Sequence, residues 1–288
     1  FSAKDGTLLW KYNNTDSGLE TPWGLRPIFI AAIADGKVYA FNNEHSPNTP
    51  LYKGYRIYCI DAFTGEEIFT MLGWAGQTGG RGTSTSVLAE GIFVYYNYYD
   101  NQIYAVGKGP SAMSVSASPK VSVHGSKVLV EGTVTDISAG ARQAEQAARF
   151  PNGVPAVSDE SMSAWMEYVY MQKPKPTDVK GVDVIVEVLD PNGNYYEVAR
   201  TTTDSFGFFK ATFEPPVPGE YTVIATFAGS ESYYGSSAET AVFVEEALPV
   251  TPEPTPTPQA PVETYFAVST VAIIVAIAVA VVLLLRKR

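Results

Sequence analysis

The chain has 288 residues, enough for two domains, and 45% of them are hydrophobic. Removing the three basic residues at the C-terminus leaves 17 Lys and Arg against 30 Asp and Glu in residues 1–264, a net of −13. Such an acidic surface excludes nucleic acid and anionic lipid as electrostatic partners, and a single cysteine, Cys59, excludes an intrachain disulfide framework.

Residues 1–109 repeat. Asp5-Gly6-Thr7-Leu8-Leu9-Trp10 returns as Thr64-Gly65-Glu66-Glu67-Ile68-Phe69. Gly36-Lys37-Val38-Tyr39 returns as Gly91-Ile92-Phe93-Val94, and Arg56–Asp61 returns as Gln102–Gly107. Each unit reads as short strands separated by Gly turns, with a loop inserted at Asn42–Gly54 in the first. A period of 40–50 residues with four short strands is the signature of propeller blades. Phe1–Tyr12 reads as the last strand of a preceding unit. Two blades cannot close a ring, so further blades are expected upstream of Phe1. The Gly-rich stretch Trp74–Gly82, with Arg81, is expected as an irregular connection. His45 is expected in solvent, and Asn13-Asn14-Thr15 is an N-glycosylation acceptor on Asn13.

These motifs resemble pyrroloquinoline-quinone-like β-propeller repeats. The resemblance covers the first third of the chain. It implies that Trp10 and Phe69 are the aromatics that dock between neighbouring blades, Phe69 replacing the family's usual Trp. Quinoprotein dehydrogenases of that family use an adjacent Cys pair and a Ca²⁺ site of Glu, Asn and Asp. This sequence has no such pair and no recognisable set, so no cofactor and no metal site is expected, and no catalytic residue is assigned.

Residues 110–246 change character. Alternating apolar residues predict strands at Met113–Ser118, Lys127–Thr135, Val182–Leu189, Tyr195–Thr203, Phe208–Phe213, Tyr221–Phe227 and Thr240–Glu245. Asp190-Pro191-Asn192-Gly193 is a hairpin turn. Seven such strands predict an immunoglobulin-like or transthyretin-like sandwich. An insert at about 137–178 holds two predicted helices, Ala139–Arg149 and one capped by Ser158. The second carries Met162, Trp165, Met166, Val169 and Tyr170 on one face, which is expected to pack on the sandwich or on the propeller, the alternative being an exposed partner-binding face. The adjacent acids Asp159-Glu160 are expected in solvent, and Asp204 is expected to cap a turn. Thr203–Phe209 and Pro218–Val223 resemble Ig-like repeats of prokaryotic surface proteins, and Gly229–Tyr234 extends the likeness to archaeal cell-surface proteins.

Residues 247–264 form a Thr/Pro-rich stalk. Polyproline II geometry at about 3.1 Å per residue gives it a reach of roughly 40–50 Å. Residues 265–285, Tyr265–Leu285, contain no charge, Pro or Gly and are long enough for a transmembrane helix. Arg286, Lys287 and Arg288 form a basic membrane stop at 286–288, which places the C-terminus in the cytoplasm and the N-terminal bulk outside. The stalk, span and basic end resemble the C-terminal anchors of archaeal surface proteins. They lack the Pro-Gly-Phe motif read by archaeosortases, so the helix is expected to be retained.

The whole reads as mainly β: an incomplete propeller, a sandwich with a helical insert, a stalk and one span. The expected role is a single-pass membrane protein whose modules serve binding, adhesion or scaffolding. Its expected partners are membrane lipid, through the helix, and an extracellular protein or glycan. The alternative is the C-terminal part of a membrane-tethered quinoprotein-like oxidoreductase with catalytic blades upstream. Absence of export signal and initiator Met is attributed to a start upstream of Phe1.

Overall fold

The computed structural model describes residues 1–13, 28–42, 55–75, 86–247 and 261–287. The chain divides into two compact units, Phe1–Glu246 and Ala247–Arg288.

The first unit is mainly β. Strands β1 (Ile28–Ala34), β2 (Lys37–Asn42), β3 (Arg56–Asp61) and β4 (Glu67–Leu72) form an antiparallel sheet in chain order. Strands β5 (Ser86–Ala89), β6 (Ile92–Asn97) and β7 (Gln102–Val106) form a second, three-stranded antiparallel sheet. The tight turns before β2 and β6 place Asp35, Gly36, Glu90 and Gly91 at positive φ, the conformation that a primed hairpin turn requires. Both faces of the first sheet are apolar. Tyr39, Phe41, Ile57, Cys59 and Met71 share a cluster with Phe93 and Tyr95 of the second sheet. On the opposite face, Val38, Ala40, Tyr58 and Ile60 are covered by Trp10, Tyr12 and Ile28. The segment Phe1–Tyr12, expected as a strand, forms no ladder; it is held by its aromatic side chains instead.

Beyond Gly109 the strands are β8 (Ser111–Ser118), β9 (Val121–Val123) and β10 (Val128–Asp136). An insert follows, with α1 (Ala144–Arg149), β11 (Val154–Pro155) and α2 (Asp159–Tyr170). Strands β12 (Asp183–Leu189), β13 (Tyr195–Thr202), β14 (Phe208–Phe213), β15 (Gly219–Gly229) and β16 (Tyr234–Glu245) complete the unit. One sheet centres on β10, which pairs β8 on one edge and β14, then β11, on the other. The other runs β13-β12-β15-β16-β9, with β9 parallel to β16. Val184, Val186 and Val188 of β12 and Tyr221, Val223 and Ala225 of β15 meet Val128, Val130, Val134, Phe209 and Phe213 of the first sheet in one apolar core. Alternation along each strand sends these side chains inward and their neighbours outward.

The predicted strands are present with changed ends: β15 and β16 are longer than the apolar pattern that marked them. The first predicted helix is shorter. Ala139–Gln143 precedes α1 as turns and bends, because Gly140 interrupts the helix-forming run.

Beyond Ala247 the second unit is described from Pro261 to Lys287. Its helix α3 (Val262–Arg286) has 25 residues, none of them buried. Residues 248–260, most of the expected stalk, lie outside the described residues.

Candidate functional site

The α3 helix is the element with the plainest functional chemistry. It is long and apolar enough to cross a membrane. At about 1.5 Å per residue it extends roughly 37 Å, beyond the ~30 Å of bilayer hydrocarbon. The two hydroxyls beyond its first turn, Ser269 and Thr270, are satisfied within the helix: both donate to the Phe266 carbonyl, at 3.0 and 2.7 Å. No polar group of the central stretch therefore needs water or a neighbouring helix. Of the basic stop, Arg286 ends the helix and Lys287 is its C-cap; Arg288 lies outside the described residues.

Trp10 and Phe69, expected to dock between blades, occupy different surroundings. The Trp10 indole donates to the Ala62 carbonyl at 2.9 Å and lies on the turn Asp61–Gly65. A Cβ at Gly65 would stand 2.7 Å from the Trp10 ring, and Gly65 sits at φ +77°, so this turn accepts only glycine on two counts. Asp61 builds the turn by accepting from the Phe63 and Thr64 amides, both at 2.8 Å; the hydrogen bonds from Thr64 and Phe63 hold its carboxyl below the usual carboxylate range. Phe69 is half-buried and packs into the cluster shared by the two N-terminal sheets. Asn13 is exposed, while Asn14 and Thr15 of its acceptor motif lie outside the described residues. So do His45 and, beyond Ala75, the Gly-rich stretch with Arg81.

Helix α2 joins the two halves of the first unit. Met162 packs on the sandwich core, Met166 on the cluster of the N-terminal sheets, and Trp165 and Val169 are buried in a third cluster between them. The apolar face therefore serves both surfaces, where either one was expected. Glu167 adds a polar lock. Its carboxylate accepts from the Leu72 amide at 2.6 Å and from the Arg56 guanidinium at 3.0 Å. Arg56 also donates to Thr70, whose hydroxyl donates to the Ile57 carbonyl.

The two ends of α2 are secured by residues that the sequence reading placed elsewhere. Ser158 holds the N-cap position, yet its hydroxyl bonds the Ser161 hydroxyl at 3.3 Å and makes no cap bond to the backbone. Asp159, expected in solvent, clamps the β15–β16 connection. It accepts from the Ser230 hydroxyl at 2.9 Å and from the Glu231 and Ser232 amides at 3.1 and 2.9 Å. Partial burial pushes its carboxyl up, but hydrogen bonds from Ser232, Ser230 and Glu231 outweigh this and hold it below the usual range. At the other end, Arg149 of α1 donates to the Val169 and Tyr168 carbonyls at 2.7 and 3.1 Å, placing a cation at the negative end of α2.

Two buried asparagines went unnoticed in the sequence. Asn42 ends β2 and accepts from the Arg56 amide at 2.6 Å; Asn97 ends β6 and accepts from the Trp74 amide at 3.0 Å. Each does the same task in its sheet, and an Asn closing the second strand of both repeats was the available signal. Asp204 caps its turn as expected, accepting from Phe206 and Phe208 amides at 2.8 and 3.0 Å. The Cys59 thiol is fully buried, and burial pushes it up to about 11. Among the described residues no group of three or more His, Cys, Asp or Glu is placed to hold a metal ion.

The sequence matches no family model and no curated protein. Two solved structures are similar in part. One is the sporulation control protein Spo0M from Bacillus subtilis, at 13% identity over 48% of this chain and 50% of that one, with a TM-score of 0.23. The chain thus spans half the length of that relative. The other is a structure of the fibronectin(III)-like modules of Clostridium thermocellum CbhA, at 10% identity over 77% of this chain and 95% of that one, with a TM-score of 0.28. At these identities and scores neither says what the chain does.

Proposed function

We propose that the chain is a single-pass surface protein, anchored by α3, that presents its β modules outside the cell for binding, adhesion or scaffolding. The observation that carries this reading is α3 itself: 25 helical residues, none buried, with both internal hydroxyls satisfied. The basic end at Arg286-Lys287-Arg288 favours a cytoplasmic C-terminus, and the acidic residues 1–264 suit a solvated exterior module. The two N-terminal sheets, with their repeated Asp35-Gly36 and Glu90-Gly91 turns, are read as consecutive blades of a pyrroloquinoline-quinone-like propeller, and the following unit as an Ig-like module of archaeal surface type.

Topology is tested by adding protease to intact cells carrying a C-terminal epitope. Digestion of the N-terminal mass, with a membrane-embedded fragment that keeps its epitope, is expected. A chain that resists protease until the cells are lysed overturns the orientation.

A further inference from the structure

We propose that the outward face of the β8-β10-β14 sheet is a binding groove for a neutral oligosaccharide. This rests on the reading of the first unit as an exposed binding module, and it names the ligand class and the place. A groove of about 770 Å³ lies over this face. Two cross-strand rows line most of it, with Thr201, Thr202 and Asp204 beside them. In one, Ser114 stands opposite Thr133, and Thr133 opposite Phe208; in the other, Ser116 stands opposite Glu131, and Glu131 opposite Lys210.

Three features make these rows unlike an ordinary solvated face. Phe208 is 44% exposed, although the next residue, Phe209, fills the core position of the same strand. Its ring faces the groove, the place of a platform for the apolar face of a pyranose. Glu131 and Lys210 are directly opposed in register, yet neither forms an ion pair or a side-chain hydrogen bond among the described residues. One supplies acceptors and the other donors, with no net charge between them. The remaining polar groups are hydroxyls, which both donate and accept, as sugar hydroxyls do, and the Asp204 carboxylate, which accepts from the Phe206 and Phe208 amides and leaves the lining net negative, against an acidic glycan. A peptide strand is a poorer fit, because it would dock by ladder hydrogen bonds along a sheet edge, whereas the two rows present side chains on the sheet's face. A polyanion is poorer still against a single lysine on an acidic unit.

The test uses the full chain in lipid nanodiscs free of glycosidic detergent. It is applied to an array of neutral and acidic glycans, and hits are titrated by calorimetry. Binding of a neutral glycan at micromolar to millimolar Kd is expected, insensitive to added salt. Phe208→Ala is expected to weaken it at least about tenfold, as is Glu131→Gln together with Lys210→Ala, with unchanged melting temperatures. A blank array overturns the proposal. So does binding that survives all three substitutions, or binding confined to acidic glycans and abolished by salt. The protease experiment reads orientation alone, so a blank array beside an accessible N-terminal mass sinks the groove and leaves the anchor reading standing.

Discussion

Tyr95 shows how one atom can be out of keeping with its setting. The residue is fully buried, stacked on Tyr104 at 5.5 Å and tilted against Phe93 at 5.8 Å. Its hydroxyl has no hydrogen-bond partner among the described residues, and burial pushes the phenol far above its ordinary value. A buried unsatisfied polar group costs about 1–3 kcal/mol, so removing the oxygen removes that cost along with a little packing. Tyr95→Phe is therefore expected to leave stability unchanged or raise it by up to about 1 kcal/mol in urea unfolding. Loss of more than about 1 kcal/mol would show that the hydroxyl is bonded. Tyr95→Ala, which empties a packed aromatic site, is expected to cost about 3–5 kcal/mol. The alternation Phe93-Val94-Tyr95 made the strand legible, but nothing in sequence says whether a buried tyrosine's oxygen finds a partner. That depends on what the neighbouring sheet places above it.

Element by element, legibility followed length and periodicity. Strand β14 lies where its apolar pattern put it, and β12 begins one residue later. The three-residue β9 and two-residue β11 were missed, because a two-residue period needs more repeats than they contain. The apolar face of α2 was legible from its spacing. Its role as the joint between both halves was not, since Glu167 and Arg56 are separated by 111 residues and meet only through the fold. This joint makes a prediction. Both side chains are mostly buried, at 15% and 20% relative exposure, and Glu167 also satisfies the Leu72 amide. Glu167→Ala removes the acceptor of the Leu72 amide and one partner of Arg56, an expected loss of about 1–3 kcal/mol. Glu167→Gln keeps an acceptor and is expected to lose about half as much. Equal, negligible effects of both in urea unfolding would mean that Arg56 and Leu72 are satisfied without Glu167.

At the scale of the whole molecule, the decisive contrast is between a unit that buries its apolar residues and a helix that buries none. Residues Phe1–Glu246 enclose several apolar clusters, whereas α3 exposes every one of its side chains. Tyr265–Leu285 contains thirteen Val, Ile, Leu and Phe residues. At about 0.3–0.6 kcal/mol each in a membrane, they favour insertion by roughly 4–8 kcal/mol. The long apolar helix was readable from sequence because it depends on composition alone, with no partner needed to define it. Folding of the first unit should then be independent of α3, while the solution behaviour of the chain should depend on it. A chain ending at Glu246 is expected to stay in the aqueous phase of a detergent phase separation, and the full chain to enter the detergent phase. Both are expected to unfold with the same midpoint in urea. An aqueous full chain would mean that α3 is covered by protein in solution, and a lowered midpoint in the shortened chain would mean that the first unit leans on the helix. Either result would remove the reason for assigning α3 to the bilayer.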